Sequence, residues 1–361
     1  MILRRIGLQN FRNIEGAHLE LDPGNTFLLG PNGQGKSNLI EAVGFMTALR
    51  AFRTHDQRTL IRHGQEEAVL AYELEHDKVG DTKLGVCLRA QGRAVEVDGE
   101  PVRRLVEVIG QFPTVVFGSE DIQLIRGGPA LRRRLIDLFL SSLDADYLRM
   151  LMRYHGGLRE RNVLLKQEAD QSQLAAFEQV MAPAANRIAQ ARFQLISELS
   201  DALDLFYGGL CDGREDPGLQ HRPDSRAENE SEWLELFREG RPRDRQMRAT
   251  QKGPHRDDFR LQLNGRDALD FASEGQQRGL VLALRFAQLR VIRERTGLVP
   301  IVLADDVLGE LDPGRRERFW RHLDPDTQVI ASGTEPPTPA DPRGWRVFRV
   351  DEGQFHPEEA G

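Results

Sequence analysis

An α/β head on a mixed sheet, interrupted by a mostly helical insert, is the fold this sequence predicts, and three observations predict it. A glycine-rich loop, Gly30 to Ser37, directly follows the apolar run Thr26 to Leu29 and directly precedes the helix-like stretch Lys36 to Leu49. Far downstream a second apolar run, Ile301 to Ala304, ends in the paired carboxylates Asp305 and Asp306. Between them, from Pro129 to about Phe206, apolar residues recur at helical spacing. The division this implies is a first head segment over residues 1–125, a helical lid or arm over 126–242 and a second head segment over 243–361.

The loop reads Gly30-Pro31-Asn32-Gly33-Gln34-Gly35-Lys36-Ser37, a complete G-x-x-x-x-G-K-S pattern, with Asn38 continuing into the helix. Its glycines let successive backbone N–H groups turn inward toward phosphate oxygens, and the helix N-terminus adds a favourable field for an anion. Lys36 supplies a point charge for the β- and γ-phosphates, and Ser37 a hydroxyl for Mg²⁺. ATP with Mg²⁺ is the expected ligand pair. The rest of the first segment shows short alternating runs, Val69 to Leu74 and Leu84 to Leu88, and an Asp98-Gly99 hairpin turn after Ala94 to Val97.

In the insert, Leu131, Leu135 and Leu138, then Leu148, Leu151 and Met152, suit amphipathic helices packed antiparallel. Residues 212–230, rich in Asp, Glu, Gly, Pro and Arg, read as a mobile loop. Then comes Ser273-Glu274-Gly275-Gln276-Gln277-Arg278, leading into the helical pattern Gly279 to Arg295. Taken alone it is a capped helix start. The strand Ile301 to Ala304 reads as a Walker B strand, which would carry Asp305 to the Mg²⁺ beside Ser37 and leave Asp306 facing the attacking water. Gly309-Glu310-Leu311-Asp312 follows.

This order, a Ser-x-Gly-Gln turn, a Walker B strand and a Leu-Asp turn, resembles the signature motif and D-loop of ATP-binding-cassette ATPases. The resemblance implies that Ser273, Gly275 and Gln276 of one subunit close on the γ-phosphate held by another, with Asp312 nearby. Such ATPases commonly place a glutamate after the Walker B aspartate, whereas Asp306 is one methylene shorter, so hydrolysis is expected to be slow. Val329 to Glu335 occupies the place of the switch-histidine strand but holds no histidine, which leaves Thr334 as the candidate γ-phosphate sensor. Lys36, Asp305, Asp306 and Thr334 are thus the candidate catalytic residues. For the Q-loop, after Phe117, Glu120 and Gln123 both remain open. The tail beyond Pro336 is Pro-rich apart from a strand, Trp345 to Val350.

Segments outside this core narrow the family. Asn10-Phe11-Arg12-Asn13, Phe52-Arg53-Thr54, the run Gly127 to Arg134 and Lys252-Gly253-Pro254-His255-Arg256-Asp257-Asp258, taken with the signature and Asp305-Asp306-Val307-Leu308, resemble the RecF family of bacterial DNA repair proteins. The resemblance implies a head like that of SMC-type chromosome proteins without their long coiled coil, and a place for Arg12 at the nucleotide. It also implies an ATP-dependent homodimer on double-stranded and gapped DNA, with RecR and, more loosely, RecO as partners.

The chain's 361 residues suit about two domains, and its two cysteines, Cys87 and Cys211, give no metal spacing or disulfide framework. No leader or membrane-spanning run is apparent, so a cytoplasmic protein is expected. With 49 Lys and Arg against 56 Asp and Glu the formal charge is −7, and no global basic field favours nucleic acid. Local clusters must serve instead: Arg126 with Arg132 to Arg134; Arg149, Arg153, Arg159 and Arg161, which read equally as a solvated helix face; and Arg241 to Arg260. Arg132, Arg133, Arg243, Arg245 and Lys252 are the expected DNA contacts, together with Arg256, unless the His255-Arg256-Asp257-Asp258 block braces head against insert. A transporter ATPase subunit shares the three nucleotide motifs, but normally spends far fewer residues between the first two. An SMC-type tether would need heptad runs that are absent here.

Overall fold

In the computed structural model, which describes residues 1–51, 54, 56–211, 215–337 and 344–358, the strand before the phosphate loop lies inside a six-stranded sheet. The order across that sheet is Gln354–Pro357, Arg346–Asp351, Asn25–Leu29, Val329–Gly333, Ile301–Asp305 and Thr114–Gly118. All neighbours pair parallel except the edge strand Gln354–Pro357. The central strands are nearly continuous apolar runs because both faces are covered, as parallel sheets require. Register places Leu29 beside Gly333, Ala331 beside Ala304 and Asp305 beside Gly118, so the loop and the carboxylates leave the sheet at the same end.

A second six-stranded sheet is antiparallel and runs Ile14–Glu20, Ile2–Phe11, Glu67–His76, Gly80–Arg89, Gly92–Val97 and Glu100–Pro101. Its strands alternate buried and exposed residues, the pattern of a sheet with one solvated face. The hairpin expected at Asp98-Gly99 is present, with both residues at positive φ, 52° and 82°. Helix Lys36–Ala48 is buried without a break from Leu39 to Met46. It has little amphipathic character because one core holds Leu39, Val43, Phe45 and Met46 together with Leu8, Leu70 and Tyr72 of the antiparallel sheet and Ile301 and Leu303 of the parallel one.

The chain divides into two units. One comprises Met1–Asp121, Phe206–Gly213 and Leu282–Gly361, the other Ile122–Leu205 and Arg214–Val281. The expected boundary at residue 243 is therefore moved: the Ser273 turn belongs with the insert. The reason lies in a small sheet, in the order Arg266–Asp267, Asp258–Leu263, Pro217–Arg222, which ties the segment after residue 243 to the segment before it. That sheet also corrects the reading of 212–230 as one loop, since Pro217–Arg222 pairs along its whole length with Asp258–Leu263. Residues 212–214, Phe52 and Arg53 of the family motif, and 338–343 of the tail lie outside the described residues.

Helices Pro129–Leu143, Ala145–Lys166 and Glu230–Met247 and the first part of Gln171–Leu210 complete the second unit. Its interior holds fully buried arginines. Arg161 donates to Glu178 and Asp244 at 2.9 and 2.7 Å, and Arg192 to Asp137 and Asp257 at 2.8 and 2.9 Å. Burial works against the Arg192 charge, but Asp137 and Asp257 more than offset it and raise its pKa above the ordinary arginine value.

Candidate functional site

The phosphate loop is shaped by close backbone packing. A Cβ on Gly30 would lie 2.4 Å from the Val350 carbonyl oxygen, so only glycine fits there, and Gly35 sits at φ 115°, a conformation L side chains rarely adopt. Gln34 is held from the C-terminal hairpin: its Oε1 accepts from the Glu352 N–H and its carbonyl from the Gly353 N–H, each at 2.8 Å. On the other side Asn38 donates to Asn13 Oδ1 at 2.7 Å. Lys36 is folded onto its own loop, its Nζ donating to the carbonyls of Gly30 and Pro31 at 2.7 and 2.8 Å.

Arg12, expected at the nucleotide, is committed by its fork to the buried Glu41 carboxylate at 2.9 and 3.1 Å, with a further bond to the Thr59 carbonyl. It also lines, with Asn13, Asn38, Arg58, Arg62 and His63, a cavity of about 1540 Å³ that shares Asn13 and Asn38 with the loop's surroundings.

Although 268 positions apart in sequence, Ser37 and Asp305 meet: the Ser37 hydroxyl donates to Asp305 Oδ1 at 2.8 Å. A hydroxyl and a carboxylate side by side are the hard oxygen donors that Mg²⁺ takes alongside substrate phosphates. Among the described residues no group of three or more His, Cys, Asp or Glu could hold a metal by itself. The donor set fits. Bound there, Mg²⁺ would neutralise phosphate charge. Asp306 adopts a left-handed conformation, φ 56° and ψ 2°, and its carboxyl pKa is raised, first by burial and further by Asp305 and Glu310, with Lys36 opposing.

The strand Val329–Gly333 contributes a residue that sequence reasoning missed. Ser332, buried, donates to Asp305 Oδ1 at 2.9 Å and accepts from the Asp306 N–H at 3.0 Å. The missing histidine points instead to Thr334, which is exposed just beyond the same strand. Glu120 and Gln123 follow the strand Thr114–Gly118, and only Glu120 falls in the same unit as the loop.

The signature residues form a reciprocal cap. The Ser273 N–H donates to Gln276 Oε1 at 2.7 Å and the Gln276 N–H reaches Ser273 Oγ at 3.4 Å, opening the helix Glu274–Thr296. The Gln276 amide then donates to Glu215 at 2.6 Å. Gln276, expected to face a nucleotide, thus has its amide oxygen engaged within the turn and its amide nitrogen on Glu215, whereas Ser273 is exposed at the helix start. Asp312 likewise caps a helix, accepting from the Arg315 N–H at 2.9 Å. Gly275 lies in the first turn.

The expected DNA contacts separate by burial. Arg132 is a correction: it is buried, with its fork on Asp258 at 2.7 and 3.1 Å and Nη1 on the Leu124 and Gly127 carbonyls. A run of three arginines on a helix must turn some of them inward, and Asp258 of the family block is the partner. Arg133 is half-buried and donates to the Asp257 carbonyl, and Arg245 is half-buried on the Ala169 carbonyl. Arg241 and Arg260 are neutralised by Glu178 and Asp258. Arg243, Lys252 and Arg256 are exposed, Arg256 bonded only to neutral groups, Gln251 and the Thr250 carbonyl, among the described residues. The His255–Asp258 block works inside the insert: Asp257 and Asp258 hold Arg192 and Arg132, and Tyr154 meets His255 at 2.7 Å.

Comparison with known proteins places the chain in a family and a fold. The family described as the RecF/RecN/SMC N terminal domain matches residues 2–338. A protein of Lactobacillus delbrueckii subsp. bulgaricus named DNA replication and repair protein RecF is 33% identical over all of this chain and 98% of its own. A protein of the same name from Gloeobacter violaceus is 36% identical, covering 92% of each chain. Among solved structures, that of the recombination mediator protein RecF-ATP in the RecFOR pathway superposes with a TM-score of 0.91 at 28% identity, over 99% of this chain and 97% of the other. An SmcHead structure, at 14% identity and a TM-score of 0.55, shares the fold.

Proposed function

We infer the function from one premise, that this chain belongs to the RecF family, and from the geometry around its phosphate loop. It is a DNA replication and repair protein, and the transporter reading gains no support, because the relatives are repair proteins. The finer reading is an ATP-switched clamp. ATP and Mg²⁺ bind at Gly30–Asn38 with Asp305, and two copies join when Ser273 and Gly275 of one reach the γ-phosphate on the other. The joined pair holds double-stranded DNA at the edge of a gap, within a pathway that includes RecR and RecO. Slow hydrolysis, with Asp306 as base, releases it.

The observation that carries this reading is the Ser37–Asp305 hydrogen bond, which assembles a metal-ready pair of oxygen ligands from opposite ends of the chain. A structure of a RecF relative bound to ATP supports the choice of nucleotide. The test compares affinity for a gapped duplex and for anionic vesicles, with and without ATP. ATP should tighten duplex binding at least tenfold and leave vesicle binding negligible; duplex affinity indifferent to ATP would sink the clamp.

A further inference from the structure

We propose that Ser332 is a positioning residue that couples the metal-binding carboxylate to the hydrolytic one. The inference rests on the nucleotide reading above. Ser332 lies on the strand between those carrying the phosphate loop and the Asp305-Asp306 pair, and it is 1% exposed. Its hydroxyl has a single proton to share between the Asp305 and Asp306 carboxyls, and the direct bond is to Asp305. The Asp306 backbone N–H can only donate, so Ser332 Oγ accepts there at 3.0 Å and spends its proton on Asp305 Oδ1 at 2.9 Å. Ser37 gives its own proton to the same oxygen at 2.8 Å.

Two consequences follow for the site. Asp305 is oriented by two hydroxyls on one oxygen, and Ser37, having turned its proton away, keeps its lone pairs for a cation. Asp306 meanwhile occupies a left-handed backbone conformation, which aspartate reaches more readily than most residues but still at some cost, and the bond from its N–H to Ser332 helps to hold it there. One hydroxyl therefore sets both the carboxylate beside the metal and the turn that aims the next one. Groups that orient metal ligands from behind typically matter about 10–100-fold in metal affinity or activity.

The test uses the full-length protein, Mn²⁺ followed by its paramagnetic resonance signal, and a fluorescent ATP analogue. In Ser332→Ala the Mn²⁺ concentration that half-saturates nucleotide-dependent metal binding should rise about 10–100-fold, with analogue binding in the absence of metal unchanged. Ser332→Thr, which keeps the hydroxyl, should return the midpoint to within a few-fold of wild type. A wild-type midpoint in Ser332→Ala would overturn the role while leaving the nucleotide site standing. Equal loss of metal-free binding would also overturn it, because the serine would then be a packing residue of the loop. Absence of metal-dependent nucleotide binding in the wild type itself would bring down the reading of the loop, and the proposal with it.

Discussion

At the scale of single residues, the block His255-Arg256-Asp257-Asp258 shows how much of a family signature can be structural: His255, Asp257 and Asp258 are engaged inside the insert, and only Arg256 is exposed. His255 accepts at Nδ1 from Tyr154 and faces the Thr250 carbonyl with Nε2, an arrangement satisfied by the neutral ring. Burial, reinforced by Arg256 and His155, pushes its pKa down to about 4, with the Thr250 carbonyl and Asp224 opposing. The sign of the effect on stability follows. Between the ordinary histidine value, about 6.5, and the depressed one the unfolded chain binds the proton and the folded chain does not, so stability falls as pH drops through this window, by at most about 1.4 kcal/mol per unit. Above it His255 contributes no pH dependence. Urea unfolding at several pH values should show a shallower acid slope in His255→Asn than in wild type; identical slopes would mean that His255 is not the titrating group. None of this was legible in the sequence, where a histidine beside an arginine and two aspartates looks as much like a contact surface as a brace.

At the scale of elements, runs with a clear physical period are legible in the sequence and elements made by distant pairing are not. The strands before the phosphate loop and before Asp305, the helix after the loop and the Asp98-Gly99 hairpin all carry local signals, and each appears. Strand Pro217–Arg222 carries none. It opens on Pro and Gly and carries a single large apolar residue, Leu219, so only its ladder to Asp258–Leu263 makes it a strand. The same blindness hides the anchoring of Gln34 by the Glu352-Gly353 turn and the contribution of Ser332, since neither strand nor turn announces which distant loop it supports. In the insert, the helix Gln171–Leu210 is tied to the family block by Arg192, fully buried between Asp137 and Asp257. Arg192→Ala would leave two carboxylates without their cation and should destabilise the protein by about 3–5 kcal/mol, read as a lowered denaturation midpoint. A midpoint within experimental error of wild type would show that the buried pairs do not hold the unit together.

For the whole molecule the net charge of −7 remains the governing fact. Phosphates are repelled by most of this surface, so any DNA path must use the few cations that have no acid beside them. With Arg132 buried, and Arg133 and Arg245 engaged by backbone carbonyls, the candidates contract to Arg243, Lys252 and Arg256. Replacing Arg243 and Lys252 together by Glu should weaken duplex binding for all sequences alike and lower the slope of log affinity against log salt by about 0.9 for each phosphate no longer neutralised. Unaltered affinity across a salt series would place DNA elsewhere. Of the expected contacts only these three stay exposed among the described residues, a weak set by itself, and pairing two copies is what would turn it into a bivalent surface.

Nucleotide-driven pairing is thus the central claim, and light scattering on wild type, Lys36→Met and Asp306→Asn, each with ATP and with ADP, tests it most directly. Wild type should double its mass with ATP and not with ADP. Asp306→Asn, which keeps the shape of the site but removes its base, should remain doubled after wild type has decayed, and Lys36→Met should stay single throughout. A wild-type mass that is the same with saturating ATP as with ADP would contradict the account.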